Sequence, residues 1–153
     1  MVLGLSRALM ALAVLVGMGV APAAFASDYN KLSLNEEAIE GFDVMAYWQG
    51  ETPTPGSRAY SFEWRGAVWL FASAAHLAQF QSAPERYAPA FGGYCAYAMS
   101  KGIKADIHPF IYKIAGDRLF LFYSFESREK FLADPSLLQA ADGEWATLSE
   151  QVF

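Results

Sequence analysis

The chain has 153 residues, 54% of them hydrophobic and 16% aromatic, with 11 basic against 16 acidic side chains. The charges are interspersed, with no basic stripe and no acidic tail, which argues against nucleic acid as a partner. A single cysteine, Cys95, excludes any disulfide within the chain, so a domain of this length must stand on its hydrophobic core.

At the N-terminus Arg7 precedes an uninterrupted apolar stretch from Ala8 to Val20, and Ala24-Phe25-Ala26 fits an A-x-A cleavage site before Ser27. The apolar run is shorter than the ~20 residues a membrane span needs. Residues 1–26 are therefore predicted to be a cleaved signal peptide on the general secretory route. The mature chain is expected to be periplasmic or secreted, with no stable membrane anchor. Of the five methionines only Met45 and Met99 survive cleavage. Residues 27–37 read as a polar lead-in, in which Glu36-Glu37 is a solvated pair, and residues 38–150 read as one domain.

Along that domain, Ala46-Tyr47-Trp48 reads as a short strand ended by Gln49-Gly50. Thr52 to Ser57 is a proline-containing loop. Tyr60 to Trp64 alternates aromatic and polar residues at the strand period, Arg65-Gly66 turns, and Ala67 to Phe71 returns, which makes a β-hairpin. Ser73 is placed to cap a helix over residues 74–82, with Leu77 and Phe80 on one face and His76 on its flank toward water. Pro84 opens a further turn through Tyr87. Residues 93–100 are expected to form a short, tight helix that Gly102 ends. Residues 110–114 and 119–123 form a second hairpin, Ser124 or Phe125 opens a helix through Leu132, and Asp134-Pro135 starts a last helix to about Leu148. Hairpin, helix, hairpin, helix predicts a small single-domain α+β fold, with antiparallel hairpins and helices packed to one side. No repeat is evident at the level of residues.

An odd cysteine outside the cytosol implies an intermolecular disulfide, a metal ligand, a reactive thiol or a buried one. Acyl transfer needs a histidine beside Cys95, and neither His76 nor His108 is placed there by the sequence. Thioredoxin-like exchange needs a resolving cysteine, and Gly92-Gly93 lacks the spacing of a phosphate-binding loop. The chain is therefore not expected to be an enzyme. Cys95 and Met99 are four apart, so a helix projects both sulfurs from one face. A thiolate with a thioether suits a soft ion such as Cu(I), and Met45, His108 beside Asp106, and His76 extend that donor set toward copper in either oxidation state. Zinc fits less well without paired cysteines. The same residues also serve as ordinary core fillers, and both readings stay open.

Three ordered blocks carry a family likeness: Ile39 to Trp48, Tyr60 to Phe71, and Pro84 to Tyr97 with its run Gly92-Gly93-Tyr94-Cys95-Ala96-Tyr97. Together they resemble the YHS-domain proteins, specifically an exported bacterial group, over about residues 38–133. The resemblance implies an α+β domain of treble-clef-like descent, described as binding heavy metals and with no established enzymatic activity. Ala46, Ala72 and His76 stand where compact YHS modules carry cysteines, so the compact module's site is dismantled apart from one imidazole. Met45 and His108 stand at departures from the exported group's pattern and add two donors. Two functions follow. One is soft-metal binding, of copper type, through Cys95 with Met99, His108, Met45 and His76. The alternative is a non-metal interaction or small-ligand module, partnered by a periplasmic protein, in which Cys95 is a buried packing residue. A thiol redox sensor is a third.

Overall fold

The computed structural model describes residues 36–150. The predicted signal peptide and all but the last two residues of the lead-in lie outside them. Of the expected solvated pair Glu36 is exposed, whereas Glu37 is not. Glu37 is 9% exposed, its backbone bridges Val68, and its carboxylate pairs with Arg58. A carboxylate can be buried there because a guanidinium covers it.

Among the described residues the fold is α+β, with six helices and two separate antiparallel hairpins. A 3-10 turn over Ile39–Gly41 leads into α1 (Val44–Gln49), then β1 (Ser57–Trp64), β2 (Ala67–Phe71), α2 (Ala74–Ser82) and α3 (Pro84–Tyr87). A second 3-10 turn, Ala90–Gly93, leads into α4 (Ala96–Met99), β3 (Tyr112–Ala115), β4 (Arg118–Leu121), α5 (Phe125–Ala133) and α6 (Pro135–Glu150).

The predicted strand at Ala46-Tyr47-Trp48 is in fact helix α1. Its start and stop signals outweigh the strand preference of the aromatics. Asp43 caps it by accepting the Met45 N–H at 2.8 Å, and Gly50 closes it in the left-handed region at φ 71°. The helix predicted over residues 93–100 is shorter than expected. Gly93, at φ 78°, ends the 3-10 turn before it, and α4 begins only after Cys95. Ser73 and Ser124 do cap α2 and α5, accepting the N–H of His76 at 3.2 Å and of Ser127 at 3.1 Å.

Each hairpin lays its second strand inward. In β2 all but Val68 are buried, whereas β1 faces mostly outward; Phe62 lies opposite Trp69, and Trp64 opposite Ala67. Aromatic rings build the core, as their abundance suggests. Trp69 stacks on Phe80 at 5.0 Å between centroids, and Phe71 meets the same ring at 5.2 Å. Phe120 and Phe122 flank Phe131 in the second half. Ring pairs of this kind add about 0.5–1.5 kcal/mol beyond the area they bury. Among the described residues no helix is long and apolar enough to cross a membrane.

Candidate functional site

The most concentrated polar chemistry inside the fold lies where α1 meets α2. Asp43 is fully buried. Its carboxylate accepts three hydrogen bonds: the Met45 N–H at 2.8 Å, the Ala72 N–H at 2.8 Å, and His76 Nδ1 at 2.6 Å. The chain builds this locally. Asp43 precedes α1 as its cap, Ala72 lies at the exit of β2, and the Ser73 cap holds His76 in the first turn of α2. Since the carboxylate accepts, the imidazole carries a proton on Nδ1, and in the neutral ring Nε2 is then an acceptor. Nε2 makes no hydrogen bond among the described residues, and the imidazole is 14% exposed. His76 therefore does not turn to water as the sequence suggested. Along the same helix seam the Gln49 amide donates to Gln79 Oε1 at 2.9 Å.

Tyr47 is 1% exposed on α1, and its hydroxyl donates to the Pro109 carbonyl at 2.8 Å. Burial pushes the Tyr47 phenol well above its ordinary pKa, and the neighbouring Tyr112, Glu40 and Asp43 add to the shift. Glu40 is likewise raised, first by burial and then by repulsion from Asp106, with His108 pulling the other way. Its backbone is left-handed at φ 58°, between Ile39 at 44° and Gly41 at 75°.

The five sequence-derived metal candidates are placed as follows. Cys95 is 1% exposed at the cap position of α4. Its N–H donates to the Ala105 carbonyl at 3.0 Å, and its own carbonyl accepts from Met99 at 2.9 Å. Met99 and Met45 are both fully buried, and both belong with Cys95 to the hydrophobic core. His108 is exposed on the loop before β3, where its Nδ1 accepts the Phe110 N–H at 3.4 Å and its ring lies 5.9 Å from that of Phe110. Asp106 makes no hydrogen bond to His108; the carboxylate that orients a histidine is Asp43, and the histidine is His76. Three sulfur-bearing side chains thus share one core, while the two imidazoles stand on separate elements, one on α2 and one on the loop before β3. Among the described residues no group of three or more His, Cys, Asp or Glu is arranged to hold a metal ion. Asp43 was not among the sequence candidates. Its signal was present, since an Asp seven residues before a Gly brackets a short helix.

Comparison with family models, with curated proteins and with solved structures gives no match.

Proposed function

We propose that this chain is an exported binding module in which Cys95 is a packing residue and the polar working position is the imidazole that Asp43 holds. The observation that carries the reading is the burial of the thiol: Cys95 is 1% exposed inside a continuous apolar cluster. A cysteine in that setting behaves as a small hydrophobe, inert until the structure opens. The backbone groups of Cys95 are already paired, and the alanines Ala96 and Ala98 alternate along α4 with Tyr97 and Met99, consistent with close packing. Small-molecule or partner recognition without catalysis is the function that suits this arrangement.

The copper-type reading retains one supporting observation. An imidazole backed by a carboxylate through Nδ1 is the usual posture of a metal-bound histidine. A Cu(I) competition titration of the mature protein separates the two. The packing reading expects no copper binding that depends on Cys95. Tight, stoichiometric Cu(I) uptake that is lost in Cys95→Ser would overturn it in favour of a thiolate site.

A further inference from the structure

The element order runs twice through one series: 3-10 turn, short helix, hairpin, serine-capped helix, proline-started helix. The correspondence extends to individual residues. Leu70, Phe71, Ser73, Phe80 and Pro84 match Leu121, Phe122, Ser124, Phe131 and Pro135 at constant spacing, and α2 and α5 are both 9 residues long. Upstream, Gly41, Ala46 and Gly50 match Gly93, Ala98 and Gly102.

Backbone geometry repeats as well. Ile39, Glu40 and Gly41 have φ of 44°, 58° and 75°, and Phe91, Gly92 and Gly93 have φ of 56°, 61° and 78°. Three successive left-handed residues are costly for L-amino acids and seldom arise twice by chance in one small domain. The hydrogen bonds recur pairwise. Phe42 N–H to Ile39 O corresponds to Tyr94 N–H to Phe91 O, and Glu51 N–H to Ala46 O corresponds to Ile103 N–H to Ala98 O. A Cβ on Gly41 would meet Glu37 and Leu70, and one on Gly93 would meet their counterparts Pro89 and Leu121, together with Ile39.

In this correspondence Cys95 is the counterpart of Asp43, and Ser127 that of His76. The second unit builds the same turn, short helix and capped helix with a thiol and a hydroxyl in place of the hydrogen-bonded carboxylate and imidazole. Capping of α1 and pairing with the Ala72 N–H give Asp43 a use in folding, whereas the second unit forms its serine-capped helix without an imidazole at the place of His76. The cap accounts for the buried carboxylate but not for the imidazole set against it, so the presence of His76 in one unit only calls for a use beyond folding.

We infer that the chain is an internal duplication, and that Asp43–His76 is a binding position specialised in the first unit, whose Nε2 accepts a hydrogen bond from a donor group on a small ligand. The inference rests on the binding-module reading and gives that module its site. The carboxylate fixes the ring orientation and tautomer, and it strengthens Nε2 as an acceptor. A hydroxyl or a protonated amine supplies the matching donor.

The test uses the full chain with ring nitrogens observed by NMR, and phenol and methylammonium as separate probes. The expected result is a pyridine-like His76 Nε2 whose resonance moves saturably with at least one probe. Response to phenol assigns a hydroxyl ligand, and response to methylammonium assigns a cationic amine. The same titrations are followed at the Met45 and Ala72 amides, which both bond Asp43. In His76→Asn, whose side-chain amide keeps a donor toward Asp43 but lacks Nε2, their probe-dependent shifts disappear. Its melting temperature is expected to stay within about 4 °C of the parent, a small change for a domain of this size. No saturable shift with either probe would overturn the binding position. A His76→Asn variant that melts far lower or fails to fold would overturn the inference from the other side, because the imidazole would then be a clamp the unit needs. Exposed Cys95 would damage the packing reading without altering the His76 titration, so the two failures are distinguishable.

Discussion

Replacing Glu40 by glycine is expected to stabilise the protein, although it removes a charged side chain from a turn in the core. Glu40 sits at φ 58° and ψ 25°. An L-residue there costs roughly 1–2 kcal/mol relative to the right-handed region, and glycine removes that cost while giving back about 0.5–1 kcal/mol through the freer unfolded chain. The side chain offers little to lose, because burial and Asp106 both disfavour its charged form. The net expectation is a gain of about 0.5–1 kcal/mol at neutral pH. Glu40→Ala serves as the control, since it relieves the carboxylate and keeps the backbone strain. Urea unfolding of the three proteins with a common slope gives the comparison. Glycine should exceed alanine by about 1 kcal/mol. An alanine variant equal to or more stable than the glycine variant would show that the left-handed turn stores no strain, and would remove one support of the internal correspondence, in which Gly92 occupies the matching place.

Other outcomes follow from the same geometry. Gly93→Ala should lose roughly 2 kcal/mol or more in urea unfolding, because its Cβ would lie 2.8 Å from Ile39 Cγ2 and 3.3 Å from Pro89, at φ 78°. Tyr47 gives an alkaline limit. Its folded-state pKa is raised by burial above the ordinary 10, so its stabilising effect is intact below about pH 10 and fades as pH climbs toward the folded value. Melting curves between pH 9 and pH 12 should therefore fall more steeply for the parent than for Tyr47→Phe, at the expense, in that variant, of the bond to Pro109; parallel curves would contradict this. Cys95→Ala should lower stability by about 1 kcal/mol through lost packing, by the same amount with copper or with a chelator present; a loss seen only with copper would point to ligation.

Elements with local signals were readable from the chain. Ser73 and Ser124 announce their helices, Arg65-Gly66 and Gly116-Asp117 announce turns, and the alternation from Tyr60 to Trp64 announces a strand. The short helix α1 reads as a strand because Ala-Tyr-Trp favours one and six residues carry little periodicity. Only the bracketing Asp43 and Gly50 mark it. The internal correspondence is faint in the chain because matched residues are sparse, the two hairpins differ in length, and the strongest likeness lies in backbone φ values that glycine, glutamate, isoleucine and phenylalanine all adopt here. The Asp43–His76 contact joins residues far apart in sequence through the packing of α1 on α2, and no spacing rule links them. Cys95 stood out by arithmetic alone. Its burial is a property of the whole core, which composition suggests only in aggregate.

The central claim, that Cys95 is a packing group, is tested most directly by the labelling rate of its thiol in the folded protein against the rate in urea. With the thiol 1% exposed, modification requires the core to open. The native rate should then be slower by about 1,000-fold or more, as the stability of an ordinary domain dictates. A native thiol labelled nearly as fast as the unfolded one would contradict the account and return Cys95 to the reactive or metal-binding residues.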